Sequence, residues 1–169
     1  MSQRLSFYIH IPYCAKRCGY CDFNTYTPSE LKSGDLDSLS SSYIDSALKE
    51  IEMAAQIAGS AIVPTIFFGG GTPSLLPAGQ LARIINAIKS RFTLDKDIEI
   101  TLEVNPDSVT QKFLDEIKSA GATRISMGMQ SAVGSVLKVL DRTHDPENVG
   151  NAVSMARAAN FVPFSTIRA

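Results

Sequence analysis

The sequence predicts an α/β fold of about four strand–helix units with parallel strands. Three observations carry that prediction. Short apolar runs alternate with longer stretches of helical periodicity along the chain. The runs are nearly continuous, as expected of strands buried on both faces of a parallel sheet. Cysteine, glycine and polar residues gather just after the runs, where α/β folds collect ligands.

Residues 7–11 (FYIHI) make the first short run. Residues 43–58 follow with Ile44, Ala47, Leu48 and Ile51 on one helical stripe. A second run, residues 62–68 (IVPTIFF), ends in Gly69, Gly70 and Gly71, and residues 81–88 (LARIINAI) are again helical. The third pair is 98–104 (IEITLEV) and 110–119, with Thr110 as the expected N-cap and Gly121 as the expected stop. Residues 124–127 make a fourth strand, a helix-rich stretch over 133–160 breaks near Pro146, and residues 162–167 open a fifth strand. The alternation fits an open doubly wound sheet and part of a barrel equally well. In both, the C-terminal strand ends share one rim. That rim is expected to hold the cysteine loop, the glycines, Glu103, Asn105 and Gln130.

With 169 residues, 44% hydrophobic and 20% charged, the chain has the makings of one globular core. Sixteen basic residues against seventeen acidic ones leave a net charge of -1, so no electrostatic footprint points to nucleic acid or an anionic membrane. No apolar leader opens the sequence and no run approaches the roughly 18 apolar residues of a membrane span. A cytoplasmic protein is the expectation.

All three cysteines, Cys14, Cys18 and Cys21, fall within eight positions in the spacing CxxxCxxC. An odd number of closely spaced thiols in a cytoplasmic protein points to metal binding before disulfides. In a [4Fe-4S] cluster each cysteine takes one corner, and three ligands leave one iron open to a small molecule. The alternative is a structural zinc-binding fragment without catalysis, with His10 as fourth ligand. Such sites usually pair two well-separated knuckles, and only one is present.

The stretches "YIHIPYCAKRCGYCDFNTYT", "FFGGGTPSLL", "EITLEVNPDSVT" and "RISMGMQS", in that order, resemble the radical S-adenosylmethionine (SAM) superfamily. More narrowly they resemble the family of the oxygen-independent coproporphyrinogen III oxidases and the HemW heme chaperones. The resemblance implies a partial, incomplete TIM-type barrel. It also implies that Cys14, Cys18 and Cys21 hold a [4Fe-4S] cluster whose open iron chelates SAM. Gly70, Gly71 and Thr72 match the glycine motif that contacts the methionine moiety. Glu103, Gln130 and Arg142 match cofactor contacts, and Tyr8 and Tyr20 positions near the cluster. The plainer alternatives are a tight turn for the glycines, a helix cap for Glu103, a surface side chain for Gln130 and a solvated charge for Arg142. No GxxxxGK[ST] is present, which excludes a phosphate loop of that type.

The oxidases of this family carry a fourth cysteine two residues after the third, where this chain has Phe23. Phe23 therefore implies the HemW side, which handles heme, over porphyrinogen decarboxylation in porphyrin biosynthesis. Full-length relatives continue through further barrel units into a C-terminal region with a His-Asn motif associated with heme. Residues 1–169 are accordingly expected to be the N-terminal part of a radical SAM core, with heme or porphyrinogen as partners of the full-length proteins. Where the family has a strand ending in an aspartate, this sequence reads Ile167, Arg168, Ala169, and His144 lies in a polar stretch. An apolar last strand with nothing beside it implies self-association through the barrel edge.

Overall fold

A computed structural model describes residues 3–31, 36–141, 145–161 and 164–167. The elements are β1 (Phe7–Ile11), α1 (Leu36–Ala58), β2 (Ile62–Gly70), a short 3-10 turn (Pro73–Leu75), α2 (Ala78–Arg91), β3 (Thr93–Val104), α3 (Gln111–Ala120), β4 (Arg124–Gly128), α4 (Gly134–Val139), α5 (Pro146–Ala158) and β5 (Phe164–Ile167). Arg142, His144, Val162, Arg168 and Ala169 lie outside the described residues.

The strands form one parallel sheet in the order β1-β2-β3-β4-β5. A doubly wound sheet needs a point at which the strand order reverses; here every strand neighbours its successor. The helices pack in sequence as well, α1 on α2, α2 on α3 and α3 on α5. Strands and helices that both advance in one direction give an arc of a barrel. The partial TIM-type barrel is therefore the observed architecture.

The expectation that the strands are buried on both faces holds only in part: inner-face Thr101 and Ser126 are buried but polar, and Tyr8 is exposed. Ile9, Ile11, Ile66, Phe68, Ile100, Leu102, Ile125 and Met127 are buried on the outer face, in one core with Ile44, Leu81, Ile84, Ile85, Ile88, Leu114 and Ile117 of the helices. The inner face carries Tyr8, His10, Phe67, Glu99, Thr101, Glu103, Arg124 and Ser126 at the alternate positions. The alternation was visible in IEITLEV of β3 and hidden in β2, where Ile62, Val63, Ile66, Phe67 and Phe68 read as one apolar run. The polar inner face is internally bonded at its lower end. Thr101 Oγ1 donates to Glu99 Oε1 at 2.9 Å, and Arg124 stands 3.7 Å from the same carboxylate.

Several elements are longer than their periodicity predicts, α2 running over Ala78–Arg91 against the expected 81–88 and β2 over Ile62–Gly70 against 62–68. α1 begins at Leu36 through a serine-rich first stretch whose hydroxyls turn back on the helix, Ser40 and Ser41 donating to Asp37 O at 3.0 and 2.8 Å. Serine competes with the helix backbone in this way, so the stretch carried no helical signal. β3 begins at Thr93, and its register slips between Val63 and Thr65 of β2, where Pro64 interrupts the strand. Proline has no N–H to give the ladder, and β3 bulges through the polar stretch after Leu94. Arg4 ties down that bulge at Asp95, 2.7 Å away.

The expected cap, stop and break signals stand where predicted. Thr110 Oγ1 accepts the Phe113 N–H at 3.2 Å to cap α3, and Gly121 ends it at φ 112°. Asp145 caps α5 with Pro146 in its first turn, where a missing N–H costs nothing. Among the described residues no helix is long and apolar enough to cross a membrane.

Candidate functional site

The C-terminal ends of β1 to β4 open onto a cavity of about 470 Å³. It is lined by Cys14, Cys18 and Cys21, by Tyr20 and Phe23 of the same loop, by Gly70, Gly71 and Thr72, by Glu103 and by Gln130. The structure thus brings nine of the sequence-predicted site residues onto one wall system. Tyr8 stays outside it. On the inner face its ring stacks on Phe67 with 6.1 Å between centroids, and its hydroxyl meets His10 Nδ1 at 3.2 Å. Burial raises the Tyr8 phenol, and the Glu103 charge raises it further.

The cysteine loop is closed at its base by backbone bonds. Tyr13 and Tyr26 form a parallel bridge, with Cys14 N–H donating to Tyr26 O at 3.0 Å and Tyr26 N–H to Pro12 O at 2.7 Å. Gly71 and Thr72 tie the loop entrance to β2, their N–H groups donating to Ile11 O and Tyr13 O, each at 2.7 Å. At the loop's exit, His10 Nε2 meets Asn24 O at 2.8 Å. A carbonyl only accepts, so Nε2 carries the proton and Nδ1 is left for the Tyr8 hydroxyl. Both His10 nitrogens are engaged away from the cysteines. Arg17 bonds Thr25 O and pairs with Glu30 at 3.1 Å, which draws the loop's last residues back onto its body.

All three cysteines are free and partly buried. Burial pushes the Cys14 thiol up; the Thr25 and Thr72 hydroxyls act to lower it, and Cys21 and Cys18 raise it again. Three thiolates within electrostatic reach of one another need a cation to ionise together. The Thr25 hydroxyl is buried with no partner at hydrogen-bond distance, and Thr72 Oγ1 stands 4.0 Å from Cys14 Sγ. A hydroxyl beside a sulfur is what a metal-bound thiolate accepts. Among the described residues no three His, Cys, Asp or Glu side chains are drawn together tightly enough to share one metal ion. A single zinc gathers its sulfurs at about 2.3 Å from one centre. In a cubane each cysteine binds its own iron, so the loop can stay wider.

The three glycines answer to three different neighbours. A Cβ on Gly71 would stand 2.5 Å from Tyr13 O and 2.8 Å from Ile11 O; one on Gly70, at φ +103°, would meet the His10 ring at 2.5 Å. A Cβ on Gly69 would meet Phe67 Cε1 at 2.6 Å and Glu103 Oε2 at 2.9 Å. These close approaches join the end of β2 to the β1 loop, to His10 and to β3. The motif is therefore more than a turn.

Glu103 caps no helix. Its carboxylate accepts the Gly70 N–H, and burial raises its pKa against the lowering effect of that bond. With the folded pKa above the unfolded one, the folded state holds more protons, so this group's contribution to stability falls as pH rises through the folded pKa. Glu103→Gln should therefore raise the urea midpoint at pH 7 and leave it unchanged at pH 3, as read by denaturation at both pH values. Loss of stability at pH 7 would show that the charged form is the stabilised one.

Some lining residues were not singled out from sequence. Asp141, at φ 51°, pairs with Lys16 at 2.8 Å, and a Cβ on Gly19 would approach Asp141 Cβ to 3.3 Å. The cysteine loop thus rests on the turn after α4, a contact between distant segments that no local pattern announces. Ser126 also lines the cavity; its signal was its alternate position in RISMG. Gln130, the predicted rim residue after β4, adopts φ 60°.

Three comparisons bear on this geometry. The pattern that describes the Radical SAM superfamily matches residues 8–169. The heme chaperone HemW of Mycobacterium tuberculosis is 41% identical over 159 residues, and that of Escherichia coli is 36% identical over 162. These alignments take in 94% and 95% of this chain but 40% and 41% of the relatives, so the chain spans about 40% of their length. Among solved structures, coproporphyrinogen III oxidase (HemN) from Escherichia coli superposes with a TM-score of 0.85 at 28% identity, over 98% of this chain and 37% of that one.

Proposed function

Because the chain belongs to the radical SAM superfamily, we propose that its rim cavity holds a [4Fe-4S] cluster on Cys14, Cys18 and Cys21, with SAM bound beside it, within a protein of the HemW type. The superfamily implies both groups. When bound, the reduced cluster supplies the electron that cleaves the SAM sulfonium. The chain's own residues do the rest. Thr72 offers its hydroxyl to the Cys14 sulfur, Glu103 offers a carboxylate to a cationic ligand, and Gly70, Gly71, Thr72 and Gln130 wall the cavity around it. Tyr20 walls it from the cysteine loop. Tyr8 acts one row deeper, through His10, on the exit of that loop. Arg142 is proposed as a further SAM contact on the resemblance alone.

The observation that carries this reading is the convergence of the three thiols and the glycine-end wall on one cavity. The resemblance of Phe23, where the oxidases carry cysteine, supports the HemW type. On this reading heme binding and delivery are the work of the longer protein, of which residues 1–169 supply the cofactor-binding part, and the outer edge of β5, the last strand of the sheet among the described residues, is a surface for self-association or for further barrel strands. A cytoplasmic location is proposed with it. The test presents coproporphyrinogen III to the iron-loaded, reduced chain with SAM under anaerobic conditions. Recovery of the porphyrinogen unchanged, alongside saturable SAM binding, is expected. Its decarboxylation would move the reading to the oxidase.

A further inference from the structure

Gly69 sits at the end of β2 on the inner face, directly against β3. Its backbone is not in the left-handed region, so conformational freedom does not explain a glycine there. Space does. The place its Cβ would occupy is 2.6 Å from Phe67 Cε1, 2.9 Å from Glu103 Oε2 and 3.3 Å from Glu103 Cδ. Both neighbours are side-chain ends. The Glu103 carboxylate lies across this gap, accepts the Gly70 N–H and lines the rim cavity. We propose that Gly69 is a positioning residue: by lacking a side chain it forms the seat that holds the Glu103 carboxylate on the Gly70 N–H, turned toward a cationic group of the ligand in the cavity. The inference rests on the reading of Glu103 as a SAM contact.

The three glycines differ in what an added methyl would strike. At Gly71 it is main chain, and at Gly70 the positive φ strains any side chain. At Gly69 only the Phe67 ring edge and the carboxylate must give way, so Gly69→Ala is compatible with the loop's backbone anchors. The methyl takes the carboxylate's place, and the carboxylate swings off the Gly70 N–H. A charge-assisted contact to the ligand is then lost.

The test is a double-mutant cycle on SAM affinity, measured by equilibrium dialysis on anaerobically reconstituted protein with iron content read alongside. Gly69→Ala should weaken SAM binding by about tenfold or more, as Glu103→Ala does, with iron content kept. In the Glu103→Ala background, Gly69→Ala should change the affinity by less than about twofold, because the group it displaces is gone. Equal weakening in both backgrounds would overturn the proposal, since Gly69 would then act without Glu103. So would unchanged affinity in Gly69→Ala while Glu103→Ala binds weakly, or loss of iron from Gly69→Ala. If Glu103→Ala itself binds SAM normally, the reading of Glu103 fails, and the proposal with it.

Discussion

A chain carrying Cys18→Ala should fold and hold essentially no iron after anaerobic reconstitution, against about four irons per chain for the unaltered protein. The backbone that shapes the loop does not depend on this thiol. Its base is closed by the Tyr13–Tyr26 bridge, its entrance by Gly71 and Thr72, its exit by His10 on Asn24. Removing one of three thiolates leaves a cubane on two ligands, and His10 does not take the vacant place, because it spends both ring nitrogens on Tyr8 and Asn24. Iron analysis and the visible charge-transfer absorption check it. Full iron loading in Cys18→Ala would place the cluster on other residues.

Gly71→Val should cost about 2–4 kcal/mol of folding stability and lower cluster loading together with SAM binding. A reading in which Gly71 only makes room for the cofactor predicts the opposite, loss of SAM with the cluster kept. The geometry decides between them. A Cβ at 2.5 Å from Tyr13 O has no flexible side chain to push aside, and Tyr13 leads directly into Cys14. The Gly71 N–H to Ile11 O and Thr72 N–H to Tyr13 O bonds, both 2.7 Å, would have to open. Urea denaturation and iron content of the same preparation measure the two effects. Wild-type stability with full iron and no SAM binding would return Gly71 to the simpler role.

Much of this architecture was legible because strong local signals agreed. The cap at Thr110, the stop at Gly121 and the break at Pro146 each follow from one residue's backbone chemistry, and each stands where expected. The rim followed from topology: residues placed after successive parallel strands must share one end of the sheet. What remained hidden depends on distant pairs. The slip of β3 beside Pro64 belongs to a two-strand register, and the serine-rich start of α1 is settled by its packing on the sheet. The inner face was obscured because Phe67 is apolar yet points away from the helices, toward Tyr8. The motif showed three glycines as one signal, whereas the fold uses them for three neighbours: a carboxylate, an imidazole and a stretch of main chain.

The central claim is that the loop of Cys14, Cys18 and Cys21 holds a cluster with one iron open to SAM. The most direct measurement is electron paramagnetic resonance of the anaerobically reconstituted, reduced chain, with iron and zinc counted in the same sample, before and after SAM is added. The account predicts about four irons per chain, a reduced-cluster signal, and a changed spectrum once SAM occupies the open iron. About one zinc per chain, with no cluster signal and no response to SAM, would contradict it.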